Sequence, residues 1–207
     1  MDAITLLTKD HDTVEKLFQR FEKTGPRAMK TRRDLADRMV HELSVHAAIE
    51  EMVLYPAIRE ALPEVEDDVL EALEEHHVAK WVLSEIDTMD PEHERFQAKV
   101  TVLIESVRHQ VEEEEDELFP KVRQGLEAEQ LEEMGRALAE AKKMAPTRPH
   151  PKAPDTPPGN VASGAGAALV DKARDAARKG TRTAGDTARK KTARKKKAAS
   201  RSSKASR

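Results

Sequence analysis

Two stretches of this chain repeat the same order of residue types. Val45–Ile58 reads VHAAIEEMVLYPAI and Val107–Val122 reads VRHQVEEEEDELFPKV. Each runs from a histidine to an acidic pair four or five residues on, and then to Leu-aromatic-Pro. A solvated charge run has no physical reason to recur in that order. An earlier pair matches as well: KDHDTVEKLF aligns with EEHHVAKWVL, placing His11 opposite His76. HAAIEEMVLYP aligns with HQVEEEEDELFP if one residue is inserted. The chain therefore reads as two copies of one helical hairpin, and two such hairpins bury their apolar stripes by facing each other.

Breakers divide the first 145 residues at TGPR (24–27), LPE (62–64), MDPE (89–92) and QGLE (124–127). Between them the Leu, Ala, Glu, Lys and Arg content and the three-to-four spacing of apolar residues predict helices at about 2–23, 28–60, 64–88, 92–119 and 128–144. No alternating strand pattern occurs. The expected fold is all-α, an antiparallel up-down four-helix bundle with a fifth helix outside or capping it. Pro56 and Pro120 should kink or end their helices.

Charge separates the chain into two objects. From Pro146 onward lie 17 of the 36 Lys/Arg and only 4 of the 39 Asp/Glu, a net of +13, which leaves −16 on residues 1–145. A proline-rich spacer opens the basic part and KKTARKKKAASRSSKASR closes it. With almost no large apolar side chains, residues 146–207 are expected to be a disordered tail appended to a folded domain, 1–145. The absence of cysteine excludes thiolate sites, disulfides and Cys-based catalysis. No basic leader with a long apolar run opens the chain, and no stretch approaches the ~18–20 apolar residues of a membrane span. A soluble cytoplasmic protein is the expectation.

Three histidines fall on apolar stripes. His11 belongs to Ile4, Leu7, Val14, Phe18 and Phe21; His46 to Met39, Leu43 and Val53, with Glu50 also turned inward; His76 to Val69, Leu73, Ala79, Leu83 and Ile86. A lone inward histidine is ordinarily a satisfied core residue. Three of them with a carboxylate would be costly as isolated buried polar groups, a cost that a shared metal removes. Imidazole with carboxylate suits iron, manganese or zinc. His46 and Glu50, four residues apart, reach one side of their helix. On the fourth helix, spacing pairs His109 with Glu113, whereas alignment on Leu-aromatic-Pro makes Glu114 the counterpart of Glu50. His77 stays open as an alternative to His76.

The ordered set of histidines, the HxxxE step and two Leu-aromatic-Pro endings give residues 1–125 a resemblance to the hemerythrin-like, HHE cation-binding family. The resemblance implies a non-haem di-iron centre, two Fe ions with an oxygen-containing bridge, open to O2, NO or peroxide (H2O2). By position its ligands fall on His11, His46, Glu50, His76, His109 and Glu113 or Glu114. Oxygen-carrying hemerythrins have a further histidine one turn after the third-helix one; this chain has Lys80 there, which leans towards a reactive or sensing site rather than reversible carriage. A ferritin-like site would need two Glu-x-x-His motifs, and only Glu74–His77 matches.

Two functions follow as expectations. One is a di-iron protein that handles O2, NO, peroxide or iron, with catalase-like or peroxidase-like turnover left open. The other is association with DNA, without sequence preference, through residues 172–207, which would place the protein at the nucleoid. The competing role for that tail is contact with the acidic body.

Overall fold

The computed structural model describes residues 1–155, 159–160, 164 and 166–176. Met1–Leu169 form one compact unit, and residues from Val170 belong to a second, of which 170–176 are helical. The Lys/Arg-rich stretch expected to be disordered lies, from residue 177 on, outside the described residues.

Helix α1 (Ala3–Glu22) starts at Asp2, whose carboxylate accepts the Thr5 N–H at 2.9 Å. α2 (Met29–Ile49) runs through a π-helical turn, Glu50–Leu54, into α3 (Tyr55–Ala61). A short 3₁₀ turn, Pro63–Val65, leads into α4 (Glu66–Thr88). α5 (Phe96–Glu113) passes through a second π turn, Glu114–Leu118, into α6 (Phe119–Gly125), and α7 (Ala128–Met144) follows. Among the described residues there is no strand.

Two apolar clusters fix the direction of each helix. One contains Leu7, Ile49, Leu73 and Leu118; the other contains Val14, Leu43, Leu83 and Val107. α1 and α4 run from the first cluster to the second, α2 and α5 from the second to the first. The bundle is therefore up-down-up-down. Between the clusters, at one level of all four helices, the stripes carry polar residues instead: His11, His46, His76 and Gln110.

Neither Pro56 nor Pro120 ends its helix. The helical run goes beyond the expected limit at 119 to Gly125. Each proline lacks the N–H of an ordinary turn and would press its ring on the carbonyl four residues back. The chain answers with one wider turn before it, in which the Tyr55 N–H bonds the Glu50 carbonyl and the Phe119 N–H bonds the Glu114 carbonyl. Pro91 starts no helix: residues 91–95 form turns and α5 begins at Phe96.

α7 packs on α1 and the first π turn, held by a reciprocal capping box between Glu127 and Gln130. The boundary expected at 145 falls inside the first unit. Arg148 pairs with the buried Asp87, the Asn160 amide donates to the Glu51 carbonyl at 2.8 Å, and Thr147 is buried. The proline-rich start of the tail is thus packed on the body, because Arg148 and Asn160 satisfy buried acceptors that composition does not reveal.

Candidate metal centre

The polar layer closes into a ring of side chains. His11 Nε2 lies 3.1 Å from His46 Nε2. His46 Nε2 is 3.2 Å from Glu50 Oε2, which is 3.4 Å from His76 Nε2. His76 Nε2 is 3.5 Å from the Tyr55 hydroxyl, which donates to Glu114 Oε1 at 3.0 Å. Glu114 Oε2 returns to His11 Nε2 at 3.2 Å. All six side chains are buried, and they come from α1, α2, both π turns, α3 and α4.

An outer layer orients the two facing histidines. His76 Nδ1 sits 3.0 Å from Glu51 Oε1, and His11 Nδ1 sits 2.7 Å from Glu115 Oε1. A carboxylate on the far nitrogen fixes each ring and directs its Nε2 into the cluster. Lys80 holds Glu51 in turn, at 2.6 Å from Oε2. On the α7 side His46 Nδ1 is 3.8 Å from Asp10, which also binds Lys142.

Electrostatics show what the cluster favours. Burial opposes charge on His11, but its bonds to Glu114 and Glu115 and the field of Glu50 outweigh that, and its pKa rises to about 9. For His76 burial is again opposed, by Glu50 and Glu51, and the pKa rises to about 10. Burial and the neighbouring Glu114 push the Tyr55 phenol well above 10. Glu114 is held below the usual carboxylate range despite its burial, by His11 first. The pocket stabilises positive charge at its centre.

Both oxygens of Glu50 and Nδ1 of His46 are buried without a hydrogen bond, although Glu50 lies within ion-pair distance of two imidazoles. Lone pairs in that condition are costly unless a cation takes them. His11, His46, Glu50 and Glu114 bring ligand atoms within 4.8 Å of one another. Mixed imidazole and carboxylate donors suit iron, so the residues fit the implied metal. A cavity of about 30 Å³, lined by His11, His46, His76, Gln110 and Glu114 among others, abuts them. One water needs ~10–15 Å³, so the cavity has room for about two water-sized molecules. A larger cavity, about 420 Å³, lies under the proline-rich segment and meets this centre only through Glu51 and Lys80.

Of the residues expected from sequence, His11, His46, Glu50, His76 and Glu114 converge. His109 and Glu113 do not enter the cluster. They form a pair at 3.3 Å outside it, His109 exposed and Glu113 half-buried, grouped with Glu75. His77 is exposed and accepts from the Trp81 indole N–H at 3.2 Å. The inserted residue in the repeat alignment is the reason for the misplacement. The two π turns align in sequence without a gap, so that Glu50 matches Glu114, Tyr55 matches Phe119, and His46 matches Gln110. His109 lies one residue further back and is turned about 100° away. Sequence reasoning did not assign Tyr55, Gln110, Glu51 or Glu115 to the site. The alignment on Leu-aromatic-Pro that makes Glu114 the counterpart of Glu50 also sets Gln110 opposite His46 and Glu115 opposite Glu51 when carried on without a gap.

The model of the Hemerythrin HHE cation binding domain matches residues 2–122. The chain belongs to the hemerythrin HHE cation-binding family. An uncharacterized hemerythrin-like protein of Schizosaccharomyces pombe is 30% identical over 168 residues, 81% of this chain and 82% of that protein. A DNA nickase of Nostoc is 29% identical over 143 residues, 69% of this chain but only 39% of the nickase. A crystal structure of a hemerythrin HHE domain-containing protein from Mycobacterium kansasii shares the fold, with a TM-score of 0.59 at 21% identity, over 69% of this chain and 86% of that one. HHE domains bind metal cations, typically iron, and the buried His/Glu group of this hemerythrin-like chain has the donors to hold one. Among the described residues no helix is long and apolar enough to cross a membrane.

Proposed function

We propose that this hemerythrin-like chain is a non-haem di-iron protein whose centre binds or reacts with O2, NO or peroxide. The observation that carries the reading is the closed ring of three imidazoles, two carboxylates and a phenol, with a small cavity against its His11, His46, His76 and Glu114 side. His11, His46, Glu50, His76 and Glu114 would hold the metal. Bound iron would supply the redox change and an open position for the small ligand.

The residues of the chain set the conditions for that chemistry. Apolar clusters on both sides of the layer exclude bulk water. Glu51 and Glu115 hold the rings by Nδ1. Tyr55 keeps its proton and donates it to Glu114 Oε1, which fixes the orientation of that carboxylate in the ring. The second half of the site carries Gln110 where the first carries His46. The two half-sites are therefore unequal, which favours reactivity at one metal over symmetric carriage.

Iron content and near-ultraviolet absorption of aerobically purified protein, followed by peroxide addition, test the reading. About two irons per chain with bands that respond to peroxide are expected. No iron after anaerobic ferrous reconstitution would overturn it.

DNA association is a second reading, favoured by the likeness to a DNA nickase and by the net charge of +13 from residue 146 on. Clustered Lys/Arg without aromatics would bind phosphates with steep salt dependence. The 39% coverage of the nickase keeps that protein's activity outside what the likeness carries.

A further inference from the structure

The two ends of the polar layer differ. At one end Asp10, the residue before His11, approaches His46 and is covered by Lys142 of α7. At the other, Glu75 holds the equivalent place before His76, and α7 is absent there because it packs on α1 and the first π turn. A cavity of about 60 Å³ opens in that uncovered place between α4 and α5. Its rim is acidic, with Asp68, Glu71, Glu75, Glu113 and Glu117, and its inner wall includes Glu114 of the buried ring.

His109 adds an imidazole beside that rim. Glu75, His109 and Glu113 place one ligand atom each within 4.8 Å of one another, on two helices. Gln110 is 8% exposed, makes no side-chain hydrogen bond among the described residues, and lines both this cavity and the 30 Å³ cavity at the centre. Its amide lies open to the space of these cavities rather than against a protein partner. Its carbonyl oxygen is a suitable stopping point for a hard cation between two carboxylate groups.

We propose that Glu75, His109 and Glu113 form an outer divalent-cation site that captures ferrous ion and passes it by Gln110 to Glu114 and the buried centre. The proposal rests on the reading of that centre as a metal site. Carboxylates focused in a cleft raise the local cation concentration and the on-rate, an effect that salt screens. The outer group therefore acts on the speed of loading and leaves the final iron content unchanged.

The test uses metal-free full-length protein mixed anaerobically with ferrous ion, with uptake followed by withdrawal into a coloured chelator. His109→Ala combined with Glu75→Gln should slow loading by about tenfold and reach the same final iron per chain. Glu112→Gln, an exposed neighbour outside the cavity, should leave the rate unchanged. A double variant that loads at the normal rate would overturn the proposal, as would a Glu112→Gln chain slowed equally. Loss of final iron in the double variant would also overturn it, by placing these residues in the buried centre. If the unaltered chain takes up no iron, it is the reading of the centre that fails.

Discussion

Glu113 and Glu114 are neighbours with opposite surroundings. Glu114 is buried between His11 and Tyr55, whereas Glu113 faces solvent beside His109. Glu114→Gln should lower the iron bound at equilibrium, and Glu113→Gln should leave it unchanged; metal analysis of both variants decides between the two carboxylates. Glu51 touches no cluster oxygen, yet it holds His76 by Nδ1. Glu51→Ala should cost about 10–100-fold in metal affinity, read by competition with a chelator. The same histidines give the metal-free protein a pH dependence. His11 and His76 titrate near 9 and 10 in the fold and near 6.5 when unfolded. The folded state thus binds more protons between those values. Stability is fully present below about 6.5 and is lost as pH rises through 9 to 10. Metal needs both rings neutral, so its affinity should rise across the same range. Thermal midpoints of metal-free and loaded protein against pH should diverge accordingly.

Among the elements, α7 depends on one close approach. A Cβ at Gly135 would lie 2.4 Å from the Met1 carbonyl oxygen and 2.8–2.9 Å from the backbone of Asp2 and Ala3. Gly135→Ala gains helix propensity of about 1 kcal/mol but forces backbone apart, and overpacking costs about 1–3 kcal/mol. The variant should melt lower, with Lys142 drawn away from Asp10. The π turns matter in the same way to the centre. Each widens the helix where its glutamate turns inward, and each arises because proline follows five or six residues later. The periodicity of Leu, Val and Ile in the flanking helices was legible without coordinates. The extra residue in each turn was not, since a π turn has the same composition as an α turn and differs only in which carbonyl each N–H reaches.

On the scale of the whole molecule, the acidic body and the basic tail answer to different forces. Removing residues 170–207 should leave iron binding unchanged and abolish any salt-sensitive retention on DNA, a result read by metal analysis and gel shift on one preparation. Cutting at 145 should do more harm, because it takes away Arg148 and leaves Asp87 buried without that partner, at a cost on the order of 3 kcal/mol. Denaturant midpoints of the two truncations would show the difference.

Sequence alone determined the all-α bundle, its two-copy construction and three of the residues that meet at its centre, and it left His76 or His77 and Glu113 or Glu114 open. These follow from period and order, which local helix geometry converts directly into a face. Tertiary structure alone decided the rest. It placed Glu114 rather than Glu113 inside, put Gln110 where a histidine was expected, and brought Tyr55 to the ring. It also laid the start of the proline-rich segment on the body. The physical reason is common to all four. Each depends on a rotation of about 100° per residue at a π turn or on a contact between residues distant in the chain. The contacts leave no mark in the local pattern of apolar and polar side chains, and the rotation shows only in the register of the repeat.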